Sequence, residues 1–136
     1  MDIVKEVKSL RLPAGSYAVV GSGPLAIRGI RPAHDIDLIV TQAVYDQLKE
    51  LGWKEENFPN TERPWVLFHK NFDVSTSWSV NDYKPSAQQL IKDADVIEGI
   101  AFVRLEDVLM WKKTCRRKKD LEDIKLIEKY IKSPQA

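Results

Sequence analysis

The sequence has 136 residues, of which 43% are hydrophobic and 30% are charged; this composition is typical of a globular protein, and we expect residues 1–136 to form one domain. The 21 Lys and Arg residues nearly balance the 20 Asp and Glu residues, which excludes a generally basic nucleic-acid coat protein, and the single cysteine excludes a disulfide framework. Because no apolar run approaches the roughly 20 residues of a membrane span and the charged start does not resemble a secretory signal, we expect no membrane contact and a cytoplasmic location.

Apolar periodicity and turn residues predict helices and strands in mixed order. In chain order we expect a helix (3–10), a strand (17–20), a helix (24–29), a strand (35–40), a helix (41–51), an extended stretch from 53, two strands within 65–78, a helix (86–93), a hairpin (96–103) and two helices (105–113 and 119–131). This order predicts an α+β (mixed α/β) fold, a short twisted sheet with helices packed mainly on one face. The tryptophans are expected in the core or in the walls of a cleft.

The strand from Asp35 to Val40 carries two carboxylates on one face. Side chains alternate along a strand, so Asp35 and Asp37 share one face while Ile36, Leu38 and Val40 share the other. Two neighbouring carboxylates repel unless a cation lies between them, and oxygen-only ligands suit a hard divalent ion such as Mg²⁺. Two solvated aspartates at the end of a strand would show the same pattern, so the motif alone leaves both interpretations open.

A turn of small residues, Gly21, Ser22 and Gly23, connects the strand 17–20 to a helix that begins at Pro24. Free backbone N–H groups at the start of a helix favour a phosphate group. Ser22 adds a hydroxyl, and glycine allows a ligand to approach the backbone closely. An ordinary strand-to-helix turn can contain the same residues, so this motif is also ambiguous when taken alone.

Together the two motifs resemble the signature of the nucleotidyltransferase superfamily that includes DNA polymerase β. The stretch VVGSGPLAIRGIRPAHDIDLIV is most similar to the minimal nucleotidyltransferases of the abortive-infection (AbiEii-like) branch, which is linked to toxin–antitoxin systems. Arg28 stands where that branch often has His, and His34 directly precedes Asp35. The resemblance implies a nucleotidyltransferase-like fold. It also implies transfer of a nucleoside monophosphate from an NTP to a hydroxyl acceptor, release of pyrophosphate, and Mg²⁺ or Mn²⁺ as cofactor.

The resemblance further implies a third carboxylate on a neighbouring strand, and Asp73 is the best candidate. If side chains alternate without interruption, Phe68, Phe72 and Val74 lie on one face and Asp73 points away from them. Asp82 is the alternative, although it falls in a predicted turn. A solvated strand aspartate is the remaining interpretation of Asp73.

The last region that resembles this branch runs from about 105 to 124 and contains a basic cluster. Six of the eight residues from 112 to 119 are Lys or Arg, and none is acidic. Such a cluster binds a triphosphate or a nucleic-acid backbone, or it is a solvated surface. The resemblance implies that Lys112, with Arg117 or Lys119, offsets charge on the leaving pyrophosphate.

The same resemblance implies roles for the other site residues. Asp35 and Asp37 would hold metal ions, Asp73 would also bind metal and take the acceptor's proton, and the turn of Gly21, Ser22 and Gly23 would bind the terminal phosphates. The acceptor is unidentified: it could be a protein or an RNA, and a partner subunit or a second copy could complete its site. The alternatives are a non-catalytic module that binds a nucleotide, RNA or a partner, and a nucleic-acid binder that ignores metal.

Overall fold

The computed structural model describes residues 1–133, and within them six helices pack on one mixed sheet of seven strands. The helices are α1 (Ile3–Ser9), α2 (Gly23–Ile27), α3 (Gln42–Glu50), α4 (Ala87–Asp93), α5 (Leu105–Cys115) and α6 (Lys118–Lys132). The strands are β1 (Tyr17–Val20), β2 (Ile36–Val40), β3 (Lys54–Asn57), β4 (Trp65–His69), β5 (Phe72–Ser75), β6 (Asp95–Ile97) and β7 (Ile100–Phe102). The strand order is β3-β4-β5-β2-β1-β7-β6, which confirms the α+β fold class. In this part of the chain, no helix is long and apolar enough to cross a membrane.

Local hydrogen bonds and turns explain why the positions of these helices and strands could be predicted from the sequence. The Thr41 hydroxyl accepts a hydrogen bond from the backbone N–H of Val44 and begins α3, and the Ser86 hydroxyl begins α4 by accepting one from the Gln89 N–H. Such caps satisfy backbone donors that have no partner inside the helix. Gly99, with φ +82°, supplies the left-handed turn between β6 and β7.

Helices cover both faces of the sheet, which differs from the expectation that they pack mainly on one face. Side chains of α1 and α3 join one core cluster, and side chains of α4, α5 and α6 join the other. The reason lies in the central strands: all four residues of β1 are buried, as are four of the five in β2. Strands that are apolar on both faces need cover on both sides.

Strand pairing brings the predicted carboxylates together. β2 lies between β1 and β5, so Asp37 is opposite Val20 on one side and Asp73 on the other. Phe68 of β4 is the partner of Asp73 across the next strand pair and therefore lies on the same face as Asp73. The uninterrupted alternation that placed Phe68 on the opposite face was wrong, because a two-residue turn between β4 and β5 resets the pattern.

The two C-terminal helices are separate, and the break at Arg116 shapes the site. Arg116 adopts a left-handed conformation with φ +56°, and its N–H donates to the carbonyl of Lys112. The chain then turns, and α6 packs back against α5. This turn brings Lys112 of α5 against two aspartates in the first half of α6.

Candidate active site

The ends of the central strands β1, β2 and β5 and the two C-terminal helices form a cleft of about 320 Å³. Its walls come from the end of β1, the carboxylate face of β2 and β5, and the region where α5 meets α6. The lining residues are Gly21, Ser22, Arg31, Asp37, Arg63, Asp73, Trp78, Trp111, Lys112, Arg117, Lys119 and Asp123. Five of these side chains are cationic and three are acidic, so the cleft suits an anionic ligand.

Asp37 and Asp73 form a close pair of carboxylates at the floor of this cleft. Burial raises the pKa of Asp37 to about 6; the nearby Arg63 opposes this shift, while Asp73 and Asp35 add to it. Burial also raises the pKa of Asp73, with a further contribution from the charge of Asp35. Two carboxylates held this close resist simultaneous ionisation unless a cation joins them.

Gly21 is fitted to Asp37. A Cβ atom at position 21 would fall against the Oδ2 atom of Asp37, closer than real Cβ atoms approach any neighbour. Gly21 also has φ +68°, a left-handed conformation that glycine adopts without strain. The backbone of the β1–α2 turn therefore lies directly beside the carboxylate of Asp37.

Three predicted or alternative site residues lie outside the cleft wall. Asp35 precedes β2 and is exposed, although its charge reaches Asp37 and Asp73. Gly23 is buried in α2, where a Cβ would collide with Val19, so its size is explained by packing. Asp82 is exposed in the turn between Val80 and Tyr83, and it does not line the cleft.

The carboxylates of the cleft are the donors available to the expected divalent metal. Asp37 and Asp73 provide hard oxygen ligands; burial raises the pKa of both carboxyl groups, and the charge of Asp35 adds to the shift. Within residues 1–133, no three His, Cys, Asp or Glu side chains are grouped closely enough to form a metal-binding cluster. The described residues thus offer a cation the two carboxylates of Asp37 and Asp73, and they do not group Asp35 with this pair.

A chain of ion pairs connects the β1–α2 turn to the C-terminal helices. Arg31 donates from Nη2 to the Ser22 hydroxyl at 2.9 Å, and its Nε and Nη2 atoms donate to both oxygens of Asp123 at 2.6 and 2.8 Å. Lys112 is only 5% exposed, and its Nζ atom lies 2.8 Å from Asp123 and 3.5 Å from Asp120. Lys112 thus lines the cleft as predicted, but its ammonium is already ion-paired with two aspartates.

Arg117 extends this network to a pair of stacked indoles. Its guanidinium and backbone N–H bond to Asp120, which outweighs the effect of burial and lowers the pKa of Asp120 to about 2. The guanidinium carbon also lies 5.1 Å from the ring centre of Trp111, and Trp111 stacks on Trp78 at 5.4 Å with nearly parallel planes. The expectation that tryptophans form cleft walls is confirmed for Trp78 and Trp111.

Two cations in the cleft wall form no ion pair within the described part of the chain: Lys119 and Arg63. Lys119 was predicted as a phosphate ligand, and its charge is available. Arg63 was missed, because it stands in a polar loop between strands where no motif singles it out. Arg31 and Asp123 were also missed as cleft residues, although Asp123 belongs to the C-terminal motif that resembles the AbiEii-like branch.

No protein-family model matches the sequence, and no curated protein matches it. The search of solved structures found ANT(2″)-Ia in complex with adenylyl-2″-tobramycin, an aminoglycoside nucleotidyltransferase. The two chains superpose with a TM-score of 0.55 over 95% of this chain and 85% of that one, at 16% sequence identity. The AbiEii-like branch itself stays a prediction. The likeness shows that this chain has a nucleotidyltransferase fold.

Proposed function

We propose that this protein transfers a nucleoside monophosphate from an NTP to a hydroxyl acceptor and releases pyrophosphate. The observation that carries the proposal is the junction of Gly21, Asp37 and Asp73. A glycine turn without room for a side chain lies against one of two paired carboxylates, in a cleft with an excess of cations. The nucleotidyltransferase fold places this junction in a structural class whose solved member ANT(2″)-Ia was found with an adenylyl group joined to tobramycin.

The terminal phosphates are assigned to the side of the cleft formed by Ser22 and Lys119. The Ser22 oxygen accepts a hydrogen bond from Arg31, so the hydroxyl proton remains available for a phosphate oxygen. Lys119 contributes a positive charge that no carboxylate of the described chain neutralises. Lys112 acts differently from its predicted role, because its contacts with Asp120 and Asp123 make it a positioning residue that fixes α5 against α6.

The carboxylates are assigned to the reacting end of the nucleotide. Asp37 and Asp73, with Asp35 at the edge, would hold Mg²⁺ or Mn²⁺, which neutralises phosphate charge and lowers the pKa of a coordinated hydroxyl. Asp73, the partner of Phe68 across β4 and β5, is assigned the proton of the acceptor. Fixed charges that need no rearrangement during the reaction are the main way in which such sites lower a barrier.

The bonds of the proposed reaction balance without any further reactant. The acceptor oxygen forms a bond to the α-phosphorus, and the bond from that phosphorus to the bridging oxygen of the β-phosphate breaks. The bonding electrons leave with pyrophosphate, and the acceptor's proton passes to Asp73 and then to solvent. The acceptor class is unassigned, and the same bonds form and break whether the hydroxyl belongs to a protein, an RNA or a small molecule.

Metal-dependent nucleotide binding tests the proposal. An α,β-methylene NTP analogue cannot release pyrophosphate, so its affinity can be measured by calorimetry with Mg²⁺ and with EDTA. We expect binding with Mg²⁺, little or no binding with EDTA, and loss of the Mg²⁺-dependent part in Asp37→Asn. An exposed aspartate that does not line the cleft, as in Asp2→Asn, provides the matched control. Equal binding with and without metal would contradict the proposal.

A nucleic-acid-binding function is the alternative that one observation favours. Four consecutive basic residues, 116–119, are exposed where α5 meets α6. If this surface binds a nucleic-acid backbone without nucleotide chemistry, affinity for an oligonucleotide will fall steeply with salt and will not change with Mg²⁺ or in Asp37→Asn. The two functions therefore predict different results for Asp37→Asn: a loss of binding for nucleotidyl transfer and no change for nucleic-acid binding.

A further inference from the structure

Arg63 is held in one orientation by the strand that carries Asp73. Its Nε atom donates to the Ser75 hydroxyl at 3.0 Å, and that hydroxyl donates in turn to the carbonyl of Ser77 at 2.9 Å. Ser75 follows Asp73 by two residues, so both side chains lie on the same face of β5. The guanidinium is therefore fixed on the carboxylate side of the sheet.

The loop that carries Arg63 is braced against the chain that follows β5. Both oxygens of the Glu62 carboxylate accept from the Asn81 N–H, at 2.7 and 2.8 Å. The Ser77 hydroxyl donates to the Glu62 carbonyl at 3.1 Å. These contacts immediately before Arg63 hold the loop in place, so the guanidinium position does not depend on a bound ligand.

One donor of this fixed guanidinium has no partner. The Nη2 atom of Arg63 is fully buried and forms no hydrogen bond in the described chain, and Arg63 forms no ion pair there. A buried donor left without an acceptor costs about 1–3 kcal/mol, and more when the group is charged. Because Arg63 lines the cleft and forms no ion pair in the described chain, the part of its guanidinium that faces the cleft can donate to a ligand oxygen, and an anionic oxygen binds it best.

The order of groups across the sheet indicates which phosphate of a bound NTP lies near Arg63. From β1 through β2 to β5, the cleft presents Ser22, then Asp37, then Asp73 and the Ser75-bound Arg63. Terminal phosphates at the Ser22 side place the α-phosphate at the carboxylate pair. Arg63 is held at β5 through Ser75, and its charge acts on both carboxylates.

We infer that Arg63 binds an oxygen of the α-phosphate, the group that is transferred. This inference rests on the proposed function and names a residue that the motifs did not. A guanidinium fixed by Ser75 offers its donor to a non-bridging oxygen in the ground state. As negative charge builds on the equatorial oxygens, the same donor stabilises it without having to move.

Two probes that share the terminal phosphates test the inference, and only one of them carries the α-phosphate and its nucleoside. The α,β-methylene NTP analogue contains it and inorganic pyrophosphate does not, and both are titrated with Mg²⁺ into wild type, Arg63→Gln and Arg63→Lys. We expect Arg63→Gln to bind the analogue at least about tenfold more weakly and pyrophosphate within about twofold of wild type. Arg63→Lys keeps the charge but loses the Ser75 contact, and an intermediate loss is expected.

A matched charge control and a second variant complete the experiment. Arg11→Gln removes one positive charge at an exposed position outside the cleft and should bind both probes as wild type does. Ser75→Ala leaves the guanidinium but removes its anchor, and it should weaken the analogue selectively if Arg63→Gln does not fold. An equal loss for both probes, or no loss for either, would overturn the inference. Failure of wild type to bind the analogue would instead overturn the proposed function.

Discussion

Replacing Gly21 by alanine separates two effects that the structure places at one residue. Gly21 has φ +68°, and the added Cβ would meet the Oδ2 atom of Asp37. Gly29 has nearly the same conformation, φ +73°, but a Cβ there would meet nothing within 4 Å. Gly29→Ala therefore measures the backbone cost alone, and Gly21→Ala measures that cost together with the displacement of Asp37.

The expected magnitudes follow from this comparison. A left-handed alanine costs roughly 1–2 kcal/mol, which is the loss expected for Gly29→Ala. Gly21→Ala must also push the Asp37 carboxylate aside, and crowding of this kind adds about 1–3 kcal/mol. We therefore expect the free energy of unfolding of Gly21→Ala to fall by about 2–5 kcal/mol.

Urea unfolding and binding of the α,β-methylene NTP analogue provide the two assays. Gly29→Ala should bind the analogue as wild type does, whereas Gly21→Ala should lose Mg²⁺-dependent binding. The double variant Gly21→Ala/Asp37→Ala removes the collision, so it should regain stability relative to Gly21→Ala while still failing to bind. If Gly21→Ala and Gly29→Ala are equal in both assays, the proposed contact between the turn and Asp37 is refuted.

Two further predictions concern charges in the same cleft. Asp37→Asn should be more stable than wild type by about 1–3 kcal/mol at pH 8 in EDTA. The folded-state pKa of Asp37, about 6, lies above the unfolded value, so wild type loses stability as the pH rises from about 4 through 6. The difference in stability between Asp37→Asn and wild type should therefore vanish at pH 4. An Asp37→Asn protein that is less stable than wild type at pH 8 would show that Asp37 is structural. Lys112→Met removes a buried ammonium but leaves Asp123 paired with Arg31 and Asp120 paired with Arg117, so it should cost about 1–3 kcal/mol. Lys113→Met, at an exposed pair with Glu128, should cost less than about 1 kcal/mol in the same urea titrations.

The elements of the fold were largely predictable because local chemistry determines them. Thr41 and Ser86 cap their helices, and apolar runs mark β1 and β2. The distribution of helices over both faces was not predicted, although the continuous apolar character of β1 and β2 already indicates it. The face of Phe68 was mispredicted because alternation counts residues along a strand and not through a turn.

The site was predictable where function depends on sequence neighbours. Gly21, Asp37 and Asp73 come from patterns within or between adjacent strands, and the structure brings them together. Arg63 is held in place by a hydrogen bond to Ser75, twelve residues away along the chain, and no local sequence pattern predicts that contact. The ion pairs of Lys112 likewise depend on the packing of α5 against α6, because a basic run is visible in the sequence whereas its buried partners are not.

The central claim is that the α-phosphate, with its nucleoside, is what this protein transfers. The most direct measurement uses two NTP preparations, one labelled on the α-phosphate and one on the γ-phosphate. Each is incubated with a cell extract, and the label is followed into the small-molecule, protein and RNA fractions. Wild type with Mg²⁺ should place α-label in one fraction and release γ-label as pyrophosphate, and Asp37→Asn should do neither. Transfer of γ-label to an acceptor, or binding of NTP without transfer of either label to any fraction, would contradict nucleotidyl transfer.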